Sequence, residues 1–202
     1  MNTVKIQRLL AMTLGLAALS MSGCQEGANN PSPIDLIADV QQHFQVVDVT
    51  ATSCQVIGSV VLRPVVKNVD PADARFLDVR LTSYRVTYRR TDGGTLVPQS
   101  FTRTLSMVLP QDVGTLIQLR LPVPGDVVVP DSLLILDAAA INQAPFVALR
   151  GSNGGVDPET GRRNVTLEAI IDFFGETLSG EDVAARTRME YTACVGCGSC
   201  GS

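Results

Sequence analysis

The residues best equipped for chemistry are the five cysteines, Cys24, Cys54, Cys194, Cys197 and Cys200. The last three form a CxxCxxC tail, Cys194-Val195-Gly196-Cys197-Gly198-Ser199-Cys200, which puts three thiols on a glycine-rich turn. As thiolates, Cys194, Cys197 and Cys200 are a candidate platform for Zn²⁺, Cu⁺ or a cluster, with Cys54 as a fourth ligand. A structural zinc site more usually offers two separated pairs of ligands. Oxidised, Cys54, Cys194, Cys197 and Cys200 allow three disulfide connectivities. Disulfides are the first reading; metal binding and thiol exchange are the alternatives. No cofactor is expected.

Other reactive groups are sparse. His43 is the only histidine, so a three-histidine metal centre is ruled out, and a Ser-His-Asp triad would have to recruit His43 from outside the expected core. No G-x-S-x-G elbow, phosphate loop or dinucleotide glycine pattern occurs. Asn153, Asp157 and Glu159 could offer oxygens to Ca²⁺, but their spacing is not that of an EF-hand. Asp172, Glu176, Glu181 and Asp182 surround one hairpin, where exposed acids ordinarily serve solubility. Catalysis is not expected from this inventory.

These groups must be positioned by strands. Ile34 to Phe44 reads as a short helix or an irregular lead-in, with strands from about Val46. Val56–Val66 is a run rich in Val and Ile, compatible with burial on both faces, in which Pro64 marks an edge or bulge. Val79 and Leu81 point inward, after which Tyr84, Val86 and Tyr88 take over, so a bulge is expected near Thr82–Ser83. Asp92-Gly93 is a hairpin signal. Phe101, Leu105 and Met107 begin the return, with Arg103 the exception on that face. Ile117, Leu119 and Leu121 suggest another strand; Asp131 could cap a short Leu- and Ala-rich helix, or Leu133–Leu136 could be a buried strand, with strand or a mixed segment favoured. Gly151–Arg163 is a polar loop.

The final hairpin is the plainest pattern. Val165, Leu167, Ala169, Ile171 and Phe173 share one face, answered by Val183, Ala185, Met189 and Tyr191. Ile170 and Phe174 interrupt the opposite, polar face and are the candidate interaction residues. Strands joined by Gly, Asp and Pro turns with little helix predict an all-β, antiparallel β-sandwich. A sandwich often brings the start of an early strand near the end of the last, which makes Cys54–Cys194 the favoured disulfide. A loop of that length is worth about 5 kcal/mol in the chain-entropy model.

At the N-terminus, Lys5 and Arg8 precede an apolar run from Leu9 to Ser20, the outline of a secretory signal. The run falls short of the roughly 20 residues a bilayer-spanning helix needs. Met21-Ser22-Gly23-Cys24 then resembles the lipobox of bacterial lipoproteins, with Met21 where that family usually has Leu. The resemblance implies cleavage after residue 23 and acylation of Cys24. It also implies attachment to the membrane through that lipid, and Gln25 fits export to the outer membrane of a Gram-negative cell. Residues 24–33, rich in Asn, Pro, Ser and Gly, read as a flexible tether. Residues 34–193 form the expected sandwich, and 194–202 the Cys/Gly-rich tail. The strand pattern resembles immunoglobulin-like or fibronectin-III-like modules of bacterial surface proteins, although the buried tryptophan of antibody-type domains is absent.

Of the 16 Lys and Arg and 20 Asp and Glu, Lys5 and Arg8 lie within 1–23, leaving 14 cations, 20 acids and a net charge of −6 beyond it. Scattered arginines on an acidic chain argue against a nucleic-acid partner, which requires a concentrated basic surface. The expectation is a lipid-anchored envelope protein with a non-catalytic binding or structural sandwich and an envelope protein as partner. The alternative is a metal-binding or thiol-redox module built on the CxxCxxC tail.

Overall fold

The computed structural model describes residues 32–50, 54–67, 76–110 and 127–198, of which 127–132 are described as backbone only. The expected signal segment, Cys24, nearly all of the expected tether, the expected strand at 117–121 and Cys200 lie outside the described residues. A compact unit begins at Ser32.

The chain forms two packed sheets. The smaller holds β1 (Ile34–Val40), β3 (Val56–Val66) and β6 (Val127–Leu136), in the order β1-β3-β6. The larger holds β2 (Phe44–Asp48), β4 (Val79–Arg90), β5 (Phe101–Leu109), β7 (Asn164–Thr177) and β8 (Asp182–Cys194), in the order β2-β8-β7-β4-β5. The all-β sandwich is therefore as expected. One pair departs from the antiparallel rule: β2 runs parallel to β8.

Strands begin earlier than expected. Ile34, Leu36 and Val40 are buried while Asp35, Ile37 and Asp39 are exposed, so this segment is neither a short helix nor an irregular lead-in but a half-buried strand. Ile37 obscures that alternation, because it is apolar yet 48% exposed. The chain then changes sheets between Val40 and Phe44. Gln41 N–H donates to Ser59 O at 3.0 Å on one side, and His43 O accepts from Glu190 N–H at 2.9 Å on the other. The backbone of His43 thus makes this crossing, while its residue surface is exposed.

Phase and register follow the sequence closely in the centre of the larger sheet. Pairing of β4 with both neighbours shifts between Leu81 and Ser83, the expected bulge. The face flips there, so Val79 and Leu81 before it, and Tyr84 and Val86 after it, are all buried. β7 and β8 pair continuously from Asn164↔Cys194 to Glu176↔Asp182, with the inward residues as expected. At Gly175 a Cβ would stand 2.5 Å from Arg80 O, so glycine lets β7 approach the bulged strand. Arg103 sits opposite Tyr84 on the inner side of β5, but β5 is the last of the described strands on that side of the sheet. Its guanidinium escapes to solvent across Phe101, 5.8 Å from the ring centroid.

Other expectations need correction. β3 is buried on one face only, since Ile57 and Val65 are 38% and 37% exposed. Pro64 pairs with Leu36, beyond Leu62, the last residue of β3 paired with β6 among the described residues. The Asp92-Gly93 turn does not close a tight hairpin: β4 ends at Arg90 and β5 starts at Phe101. After β6, Asp137 Oδ1 accepts Ala140 N–H and caps a single helical turn, α1 (Ala138–Ile141). Ile141, Phe146 and Leu149 then plug the core. The sheets are also tied by tyrosines of β4: the Tyr84 hydroxyl donates to Leu134 O at 3.2 Å and Tyr88 to Ile135 O at 2.6 Å. Burial raises the pKa of both phenols, so these donors keep their protons.

Candidate binding face

The outward residues of β7 read Glu168, Ile170, Asp172, Phe174, Glu176, an alternation of acid and apolar side chains. Because β7 lies between β4 and β8, each position becomes the middle of a row of three. Arg85, Asp172 and Arg186 form one row, and Thr87, Ile170 and Arg188 the next. Ser83, Phe174 and Ala184 form a third. The face is thus striped across the strands.

Its charges are stacked in depth. Asp172 is 8% exposed, whereas Arg85 and Arg186 above it are 48% and 52% exposed. Asp172 Oδ2 accepts from Arg85 Nη2 at 3.0 Å and Oδ1 from Arg186 Nε at 2.6 Å. Burial opposes ionisation of Asp172, but the two guanidiniums prevail and hold its pKa below the usual carboxylate value. Glu168 is likewise covered by Arg89 at 2.7 Å and Arg188 at 3.5 Å. Solvent therefore meets guanidinium groups, while the carboxylates lie beneath them. Arg85 also stacks over Phe174, 5.5 Å from the ring centroid. Ile170 and Phe174 are half-buried on this face, each between arginine-bearing rows. Asp172, expected to be a solubilising surface acid, is instead the buried anchor of the pattern.

A second ionic cluster went unrecognised in the sequence. Arg90, at the end of β4, points inward with its side chain 1% exposed. Its Nε and Nη2 bind Asp92 at 2.6 and 2.8 Å, and Nη2 also reaches Asp157 Oδ2 at 2.8 Å. Asp92 in turn accepts N–H groups from Gly94 and Thr166, and Asp157 accepts from Thr160. Glu159 receives the backbone N–H groups of Thr95 and Leu96 at 2.7 and 2.8 Å and the Thr95 hydroxyl. Gly94 has no room for a side chain, because a Cβ would collide with the Arg90 guanidinium. Burial works against the charge on Asp92, yet Arg90 and the two backbone donors lower its pKa to about 2. Asp157 and Glu159, considered as calcium ligands, are thus engaged with Arg90 and the 91–100 loop. The Asn153 side chain donates instead to Val147 O at 3.0 Å. The nearest sequence signal was an acid pair, Asp157 and Glu159, in a loop with no cation of its own before Arg162.

The cysteines close the catalogue. Cys194 is bonded to Cys197, correcting the expected Cys54–Cys194 pairing. Cys194 ends β8 beside Asp48 of β2, and the Gly196 turn folds Cys197 back onto it. Cys54 is also disulfide-bonded and is 1% exposed. With sequence separation 3, the Cys194–Cys197 ring constrains little chain, worth about 2 kcal/mol by loop closure. Sulfurs joined in a disulfide are not thiolates, so the metal reading of Cys194, Cys197 and Cys200 concerns the reduced chain. Among the described residues no group of three or more His, Cys, Asp and Glu side chains is arranged to hold a metal. A cleft of about 290 Å³ lies where Tyr88, Gln99 and Phe101 face Asp137, Ala140 and Gln143.

Comparison of the chain with family models, curated proteins and solved structures returns no match.

Proposed function

We propose that this protein is a lipid-anchored, immunoglobulin-like module that presents the outer face of its larger sheet to another envelope protein. Binding, not catalysis, is its task. The observation that carries this reading is the striped face, where exposed arginines flank half-buried Ile170 and Phe174 over sunken carboxylates. Arginine and aromatic groups together are the side chains that most often dominate protein interfaces. The carboxylates beneath remain neutralised whether or not a partner is present, so docking need not strand a buried charge.

The immunoglobulin-like assignment draws support from strand order. β8-β7-β4-β5 correspond to G-F-C-C′ and β1-β3-β6 to A-B-E. The anchor rests on the Met21-Ser22-Gly23-Cys24 segment. Acylation of Cys24 would station the face at the membrane surface, outer-membrane in a Gram-negative cell, through the 24–33 tether.

Two experiments test the reading. Cys24→Ala should move the protein from the membrane fraction to the soluble envelope fraction; continued membrane retention would refute the anchor. A photo-crosslinker at position 184, beside Phe174, should give a discrete protein adduct in cells that is lost in an Arg186→Glu background. A crosslinker at position 63, on the smaller sheet, should give none. Equal adducts from both positions, or none from 184, would refute the face.

A further inference from the structure

We propose that Cys194–Cys197 is an exchangeable disulfide, a site at which a thiolate is oxidised without the sandwich unfolding. Three features of the corner where β2 and β8 end support this. The bridge spans a sequence separation of 3, so the fold depends little on it. Its two residues are unequally exposed: Cys197 is exposed and Cys194 half-buried. An incoming thiolate is therefore directed first to Cys197. The turn is also held independently of sulfur. Asp48 Oδ1 accepts Gly196 N–H at 3.2 Å, Val49 N–H donates to Cys194 O at 2.9 Å, and Gly196 has φ 66° without strain. These bonds keep the two sulfurs near one another after reduction, which favours reclosure of the same pair.

A thiolate attacks Cys197 Sγ, the Sγ–Sγ bond breaks, and Cys194 departs as a thiolate that takes a proton from water. A second thiolate, from the same dithiol or a second monothiol, attacks the donor sulfur of the mixed disulfide. Cys197 leaves and is protonated. Two donor thiols become one disulfide while Cys194 and Cys197 become two thiols. The donor is a small thiol or the cysteine of an envelope protein; the chemistry at Cys197 is the same.

Cys54 supplies the internal control. The full chain, purified oxidised, is equilibrated without denaturant in graded glutathione buffers, quenched by alkylation and mapped by peptide mass, with circular dichroism recording the fold. Cys194 and Cys197 should label together at least tenfold more readily than Cys54, with an unchanged spectrum, and should re-form their own bridge on oxidation. Reduction only together with Cys54 and loss of the fold would overturn the proposal, as would reoxidation to scrambled pairs. Cys194→Ser should accumulate a mixed disulfide at Cys197, and Cys197→Ser should form one at Cys194 at least tenfold more slowly. Isolated from cells, the Cys194→Ser adduct identifies the donor: glutathione or another small thiol by mass, or a protein by a reducible band. Absence of any adduct at Cys197 overturns the proposal.

Discussion

Two arginine–carboxylate clusters of this protein use the same chemistry in opposite settings. Around Arg90 the guanidinium is buried, and its partners come from the 91–100 and 151–163 loops. Around Asp172 the carboxylate is buried, and the arginines reach solvent from adjoining strands. Desolvation makes the first cluster dependent on complete pairing, since losing one partner leaves uncompensated buried charge. In the second, water and salt compete at each guanidinium, so individual pairs add little stability. The first cluster fastens loops to the sandwich; the second keeps its guanidiniums at the solvent-facing side of the sheet.

The most severe test of that contrast is Arg90→Ala. It should cost about 3–5 kcal/mol in urea unfolding, because Asp92 and Asp157 remain buried without their cation. A loss below about 1 kcal/mol would place the two clusters in the same energetic class.

Acid should separate them next. The folded pKa of Asp92 is depressed to about 2, so its contribution is present above its unfolded pKa and is lost as pH falls from about 4 through about 2. About 2 kcal/mol should disappear across that window, and Asp92→Asn should flatten this part of the stability–pH curve. An unchanged curve in the variant would assign the acid sensitivity elsewhere.

Gly175→Ala probes what aligns the striped face. The added Cβ meets a backbone carbonyl, not a flexible side chain, so the strand must shift at a cost of about 1–3 kcal/mol. A wild-type melting temperature would show that β7 tolerates the displacement. Arg186→Ala should have the smallest effect on folding, about 0–1 kcal/mol, since Arg85 still covers Asp172. It should nevertheless remove the crosslink from position 184. A stability loss comparable to that of Arg90→Ala would mean that the outer face serves the fold first.

The legible and illegible parts divide along the range of the interactions. The β7–β8 hairpin and the β4 bulge were readable because period-two alternation is local and a phase slip leaves a mark on the next few residues. The outward placement of Ile170 and Phe174 was readable for the same reason. β1 was missed because exposed Ile37 masked the alternation of Ile34, Leu36 and Val40. The inward turn of Arg90 and the burial of Asp157 left no local signature, since each depends on the other across the fold. The same limit applied to Asp172, whose two arginines come from different strands.

By itself the sequence determined an all-β sandwich, most of its strand phases and the stock of four downstream cysteines. Those properties follow from side-chain alternation and composition, which the chain carries locally. The tertiary structure alone decided that β2 joins β8 in parallel, that Arg90 gathers three acids and that Cys194 bonds Cys197. Each of these outcomes selects among chemically equivalent partners. Selection of that kind is made by proximity and burial, and both exist only once the sheets have packed.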